Sequence, residues 1–182
     1  MRDVVIVGGG PAGLAAALVL GRSRKQVTLF DAGEPRNAAS GHVYGFLTRD
    51  GTPPAEMREI ARAQLARYDT VEVRDERVLS IDVGDPFVVA TEQGRASAQR
   101  ILLAVGLVDE LPKIAGLDGC WGKSVLHCPY CHGYECANSR FGFLPRTTEE
   151  LEFALLLRGW TESLVVFSNG LSLGADTRDE DA

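Results

Sequence analysis

Short apolar runs rich in β-branched residues alternate along this chain with Ala/Leu-rich or amphipathic stretches, the pattern of strands alternating with helices. Val4-Val5-Ile6-Val7 predicts a strand buried on both faces, followed by a glycine-rich turn and an Ala/Leu-rich helix from Leu14 to Leu20. Val27-Thr28-Leu29-Phe30 predicts a second strand, ending in Asp31. Thr52-Pro53-Pro54 opens a further helix, with Thr52 as N-cap and proline in the first turn. Met57, Ile60, Ala61, Leu65 and Tyr68 recur at helical spacing and form its core stripe, leaving Glu56, Arg58, Glu59 and Arg62 as the solvated face.

From Thr70 onward the period becomes that of strands: Val71 with Val73, then Val78 to Val83, then Phe87 to Thr91, and a return strand from Ile101 to Gly106. Gly84-Asp85-Pro86 and Gln93-Gly94 mark the turns. This reads as a parallel sheet with a small antiparallel meander. Val108 to Pro112 reads as a domain exit, which places one domain at 1–112 and a second, partial one at 113–182. In the second, a helix from Glu149 to Trp160, a strand from Leu164 to Phe167 and a turn at Ser168-Asn169-Gly170 repeat the βαβ theme. The fold class is α/β: a Rossmann-like domain, then part of another. The small, acidic residues from Gly174 to Ala182 end the chain before another element forms.

At 182 residues the chain can bury one domain well and part of a second. Its formal charge of -6, from 25 acidic and 19 basic residues, argues against nucleic acid or an anionic membrane as a partner. No apolar run approaches the ~20 residues that span a bilayer. Met1-Arg2-Asp3 runs straight into the first strand with no cleavage-site pattern, so the expected compartment is a reducing cytoplasm. There, Cys120, Cys128, Cys131 and Cys136 are redox or metal groups rather than a disulfide framework, with Cys120 and Cys136 most simply small, semi-buried residues.

Gly8-Gly9-Gly10-Pro11-Ala12-Gly13 carries the Gly-x-Gly-x-x-Gly arrangement between strand and helix. Gly8 makes the tight turn, Gly10 lets a pyrophosphate approach the backbone, and Gly13 lets helix and strand pack closely. The helix N-terminus offers free N–H groups to the phosphates, and Asp31 stands where a carboxylate accepts hydrogen bonds from a ribose. The bland alternative is a Gly-rich turn in an ordinary βαβ unit. Ala32 to Gly51 is long for a connection within a compact domain. Its Asn37, His42 and Arg49 are each either a ligand contact or a plain loop residue.

Cys128-Pro129-Tyr130-Cys131-His132 has four readings. A zinc knuckle would need further ligands from Cys120, Cys136, His127 or His132, at cramped spacings. The Cys-x-x-Cys-His string matches a c-type haem attachment, which requires export and an axial partner. Cys-Pro-Tyr-Cys is also a glutaredoxin-type sequence, normally placed after that fold's first strand. The fourth reading is a redox pair served by a flavin, which agrees with the motif upstream. His132 is then either a general acid/base near neutral pH or a bystander. Where a second phosphate loop would sit, the chain reads Gly142-Phe143-Leu144-Pro145-Arg146-Thr147-Thr148. Pro145 removes an N–H and Arg146 adds bulk, which weighs against NADP(H) here.

With these motifs together, the chain resembles the thioredoxin-reductase-like flavoproteins of the pyridine nucleotide-disulfide oxidoreductase superfamily. The matching features are Gly8 to Gly13, Asp31-Ala32-Gly33-Glu34-Pro35-Arg36-Asn37, Ala104-Val105-Gly106 and Cys128 to Gly133. The resemblance implies FAD held by Gly8, Gly10, Pro11, Ala12, Gly13, Asp31, Ala32, Gly33, Arg36, Asn37 and His42, with the Val78 backbone at the adenine and Ala104 and Gly106 passing close. It implies that Cys131 faces the flavin, that Cys128 exchanges with substrate, and that His132 replaces an acidic proton donor; no metal ligand is assigned. The implied partner is a thioredoxin-like protein or a small dithiol or disulfide, and relatives are typically homodimers. The histidine and the eroded second loop are more similar to the dithiol oxidases of natural-product pathways, which use oxygen and need no NADPH. The family completes its flavin domain with a returning Gly-Asp segment that these 182 residues lack. The expectation is therefore a fragment, or a truncated product with an unfinished FAD pocket.

Overall fold

The computed structural model describes residues 1–171, so the acidic stretch Gly174 to Ala182 lies outside the described residues. The chain divides into two compact units, the first Met1–Val125 and the second beginning at Leu126. Residues 113–125, grouped by sequence with the second domain, thus fall in the first unit.

The first unit is built on a six-stranded sheet. Its strands are β1 (Arg2–Val7), β2 (Val27–Phe30), β3 (Val71–Arg74), β4 (Val78–Asp82), β5 (Phe87–Thr91) and β6 (Gly94–Leu103), in spatial order β3-β2-β1-β6-β5-β4. β3, β2, β1 and β6 run parallel, while β4, β5 and β6 form an antiparallel meander. The return strand, read from sequence over Ile101 to Gly106, instead runs from Gly94 to Leu103 and so also serves as the meander's last strand. Ala98 faces both Arg2 of β1 and Phe87 of β5, so β6 passes from one ladder to the other.

Alternation along β1 and β2 sends side chains to both faces. Val4, Ile6, Val27 and Leu29 pack with Leu14 and Ala17 of α1 (Pro11–Arg22) and Leu65 of α2 (Pro54–Leu65). Val5 and Phe30 pack with Val89 and Ala98. Each fully buried Ile, Leu or Phe of these clusters contributes about 1.5–3 kcal/mol of apolar transfer. The edge is stitched by Glu72, which accepts from Arg2, from Arg74 Nε at 2.8 Å and from the buried Thr28 hydroxyl at 3.2 Å.

α2 differs from its sequence reading in two ways. Its N-cap is Pro53, with Pro54 in the first turn, while Thr52 instead bridges to Val43. Two successive prolines place the turn one residue later than a Thr cap would. Arg58 and Arg62 are not a free solvated face, because both reach Asp31. After β6 the chain continues through a short helix, α3 (Leu117–Cys120).

The second unit contains a turn of helix, α4 (Pro129–His132), and a parallel pair, β7 (Phe141–Phe143) and β8 (Leu164–Val166). The predicted helix from Glu149 to Trp160 is broken into a 3-10 turn at Glu149–Glu152 and α5 (Phe153–Leu157). Three glutamates crowd the 3-10 turn. Among the described residues no helix is long and apolar enough to cross a membrane.

Candidate functional site

The strand order changes direction at β1, which has β2 on one side and β6 on the other, and the loops leaving their carboxyl ends converge there. Gly8 N–H donates to the Phe30 carbonyl (2.8 Å), Ala104 N–H to Val7 (2.8 Å) and Asp31 N–H to Arg74 (2.9 Å). This switch point is where open α/β sheets bind ligands. Gly8 has φ +113°, and a Cβ there would overlap the Ala104 carbonyl, so only glycine serves. A Cβ on Gly13 would overlap the Gly8 carbonyl, and one on Gly9 the Asp31 carboxylate. Gly10 differs from these three. It caps α1 with extended backbone, and a Cβ there would meet only open space. The first N–H groups of α1 therefore face an open approach, which suits a pyrophosphate-bearing dinucleotide.

Asp31 is buried, yet both its oxygens are engaged. Oδ1 accepts from Gly33 N–H at 2.9 Å, and Oδ2 accepts from Arg58 Nη2 at 2.6 Å, with Arg62 Nη1 at 3.9 Å. Burial pushes its carboxyl up, but the Gly33 N–H and the two guanidiniums outweigh that and hold it below the ordinary carboxylate value. The arginines were hidden in sequence as surface charge. The available signal is that positions 58 and 62 lie one helical turn apart on one face. A groove lined by Gly33, Pro35, Ala38, Pro54 and Arg58 opens beside this pair.

The structure thus brings Gly8, Gly10, Pro11, Ala12, Gly13, Asp31, Gly33 and Ala104 into one neighbourhood, with the exposed Gly106 following at φ +70°. Other candidates have partners of their own. Arg36, in a 3-10 turn at Arg36–Ala39, forks onto Asp109 through Nε (2.8 Å) and Nη2 (2.5 Å). His42 is exposed, its ring 5.9 Å from Tyr44. Asn37 is half-buried and its backbone carbonyl accepts from Ser40 N–H at 3.1 Å, while Val78 packs beside the cluster of Val5 and Phe30.

In the second unit Cys128 and Cys131 are joined as a disulfide, with Cα atoms 5.3 Å apart. Cys128 caps α4 and Pro129 presets its first turn, bringing Cys131 N–H to the Cys128 carbonyl at 3.2 Å. His132 follows, half-buried. Tyr130 stands edge-on to Trp160, centroids 5.2 Å apart at 90°, a neighbour that lies too far along the chain to be seen in sequence. Cys120 is exposed, not semi-buried as expected, because α3 is a short surface turn; Cys136 is partly buried. Among the described residues no group of three or more His, Cys, Asp or Glu could hold a metal ion.

The loop after β7 is occupied by the chain itself. Glu150 accepts from the Arg146 backbone N–H (2.7 Å) and from its Nε (3.0 Å) and Nη2 (2.7 Å). The Arg146 guanidinium, then its N–H, hold the Glu150 carboxyl below the usual range. A carboxylate thus occupies this backbone N–H.

Known proteins match over nearly the whole chain. Thioredoxin reductase tcpT of Claviceps purpurea is 36% identical over 78% of this chain and 46% of its own length. Thioredoxin reductase aclD of Aspergillus oryzae is 39% identical over 73% of this chain and 44% of its own. The chain thus spans about half the length of the curated relatives it matches. The crystal structure of HlmI superposes with TM-score 0.89 at 44% identity, covering 96% of this chain and 57% of that one. An oxidoreductase from Agrobacterium tumefaciens gives 0.89 at 45% identity, covering 93% and 58%. The pyridine nucleotide-disulphide oxidoreductase family profile matches residues 2–140, from the first strand through the dithiol turn, and the chain belongs to that family, among its thioredoxin-reductase-like members.

Proposed function

We propose that this chain carries the flavin-binding and dithiol elements of an FAD-dependent dithiol/disulfide oxidoreductase. The observation that carries the proposal is the Cys128–Cys131 disulfide, closed within one helical turn in a chain whose other unit offers an open glycine-loop cradle. Bound FAD would supply two-electron oxidation and reduction. The glycine loop and the α1 N-terminus would hold its pyrophosphate, and Asp31, steadied by Arg58, would meet the adenosine ribose. Ala32, Gly33, Arg36, Asn37, His42, Val78, Ala104 and Gly106 complete the candidate contact set.

At the dithiol, a substrate thiolate attacks the Cys128 sulfur, the S–S bond breaks, and Cys131 leaves as thiolate. The substrate's second thiol then displaces Cys128, so the substrate becomes a disulfide and the pair holds two electrons. His132, next to Cys131, takes and returns the proton. The reverse sequence reduces a disulfide such as that of a thioredoxin-like protein. The test is whether the purified chain retains FAD through gel filtration and whether a dithiol bleaches it without oxygen. A chain that stays colourless after incubation with FAD ends this reading.

A second reading concerns the electron partner, and the Glu150 carboxylate seated in the loop after β7 favours it. A small dithiol would then supply electrons and oxygen would accept them as hydrogen peroxide, with no part for NADP(H). Anaerobic mixing separates the two, since bleaching by NADPH at a catalytic rate excludes the oxidase.

A further inference from the structure

We propose that Trp160 is a positioning residue for the dithiol: it seats the turn carrying Cys131 and His132 and biases the Cys128–Cys131 pair toward the disulfide. The inference rests on the redox reading of that pair and is independent of the flavin.

Two contacts bracket Cys131 and His132. On one side the Tyr130 ring meets the Trp160 indole edge-on at 5.2 Å. On the other, Gly133 lies buried against the same indole, where a Cβ would come within 2.9 Å of Cδ1 and Nε1. Trp160 is itself anchored: its N–H donates to the Leu157 carbonyl at 3.0 Å and its carbonyl accepts from Asn138 N–H at 2.8 Å. The Trp160 backbone is therefore tied to the end of α5 and to Asn138, and the dithiol turn rests on its indole. Ordinary core packing is the competing account. However, Tyr130 is 72% exposed, so its contact with Trp160 buries little and acts mainly through geometry.

With the S–S bond closed, Tyr130 and Gly133 both meet the indole, and opening the bond removes one constraint on the turn that carries them. A contact made better in one redox state favours that state by the factor through which the state favours the contact. Trp160 thus stabilises the disulfide relative to the dithiol by up to about tenfold, the scale of losing one edge-to-face aromatic contact.

The test uses the full chain as purified, under argon, with FAD content recorded by absorbance and W121F leaving Trp160 as the sole tryptophan. Dithiothreitol reduces the pair, its two thiols closing to a cyclic disulfide while Cys128 and Cys131 gain two electrons and two protons. Thiol trapping at set ratios gives the equilibrium constant. W160A is expected to shift it toward the dithiol by up to about tenfold, and W160F, which keeps a ring under Tyr130, by less than half that factor. Trp160 emission is expected to change on reduction with the same midpoint, and to stay constant when C128S and C131S are combined.

A W160A chain with native circular dichroism and an equilibrium constant within about twofold of its parent overturns the proposal. So does Trp160 emission that ignores reduction, a readout that stands even if W160A fails to fold. A pair that never reduces sinks this inference and the dithiol reading together, whereas a chain without FAD sinks only the flavin reading.

Discussion

Arg58 Nη2 donates to Asp31 Oδ2 at 2.6 Å, so the acid that ends β2 is neutralised by α2 before any ligand arrives. Asp31 is almost fully buried and Arg58 mostly so, which makes the pair sensitive to loss of either member. R58A leaves a buried carboxylate held only by Gly33 N–H and a more distant Arg62. It is expected to cost about 2–3 kcal/mol in urea unfolding, somewhat less than a fully isolated buried charge. A loss below about 0.5 kcal/mol would show that Arg62 replaces it.

The same pair sets an acid limb. Because the folded Asp31 carboxyl lies below its ordinary value of 3.8, the unfolded chain binds the extra proton first as pH drops. Its contribution is therefore fully present above the ordinary value and is lost as pH falls through the folded one. The stability difference between wild type and D31N should be constant above about pH 5 and shrink below about pH 4. A difference that widens on acidification contradicts this assignment.

The glycines separate folding from binding. G13A drives a Cβ into the Gly8 carbonyl and is expected to destabilise the fold itself. G10A meets open space and should cost no more than about 1 kcal/mol at the cap, while weakening FAD binding tenfold or more. Fluorescence titration beside thermal unfolding reads both. Equal FAD affinity in G10A would place the pyrophosphate elsewhere.

Replacing either sulfur should stop exchange without emptying the flavin site. C128S and C131S are each expected to lower dithiol-driven bleaching by more than about a hundredfold at unchanged FAD content. Substantial turnover in either variant would mean that the electrons bypass the pair.

At the loop after β7, NADPH is expected to show no saturable binding below about 1 mM, because Glu150 occupies the Arg146 N–H and Pro145 has none. Calorimetry that finds micromolar affinity would refute the second reading.

What could be read from sequence was whatever is settled locally. The β1 strand, the glycine turn, α1 and Asp31 lie within one continuous stretch, so their order and spacing could be read directly. The strand Phe87–Thr91 was bounded by its own turns and appeared at those limits. What stayed hidden depends on distant partners. Arg58 looks solvated until α2 is laid across the end of β2, 27 residues back. Trp160 reads as a helix residue until the chain folds it under Tyr130. β6 was read only from Ile101 because its first half, Arg95 to Arg100, is a polar run that is held as a strand by antiparallel β5 rather than by its own pattern.

That shared strand has a consequence for how the first unit opens. β6 cannot leave the meander without tugging on the parallel ladder, since Ala98 belongs to both. The amides of β5 and of β1 should therefore exchange with deuterium in one cooperative event, as a single foldon. A disturbance at the far hairpin around Gln93 would then be felt as faster exchange at Val7, the residue from which the glycine turn departs.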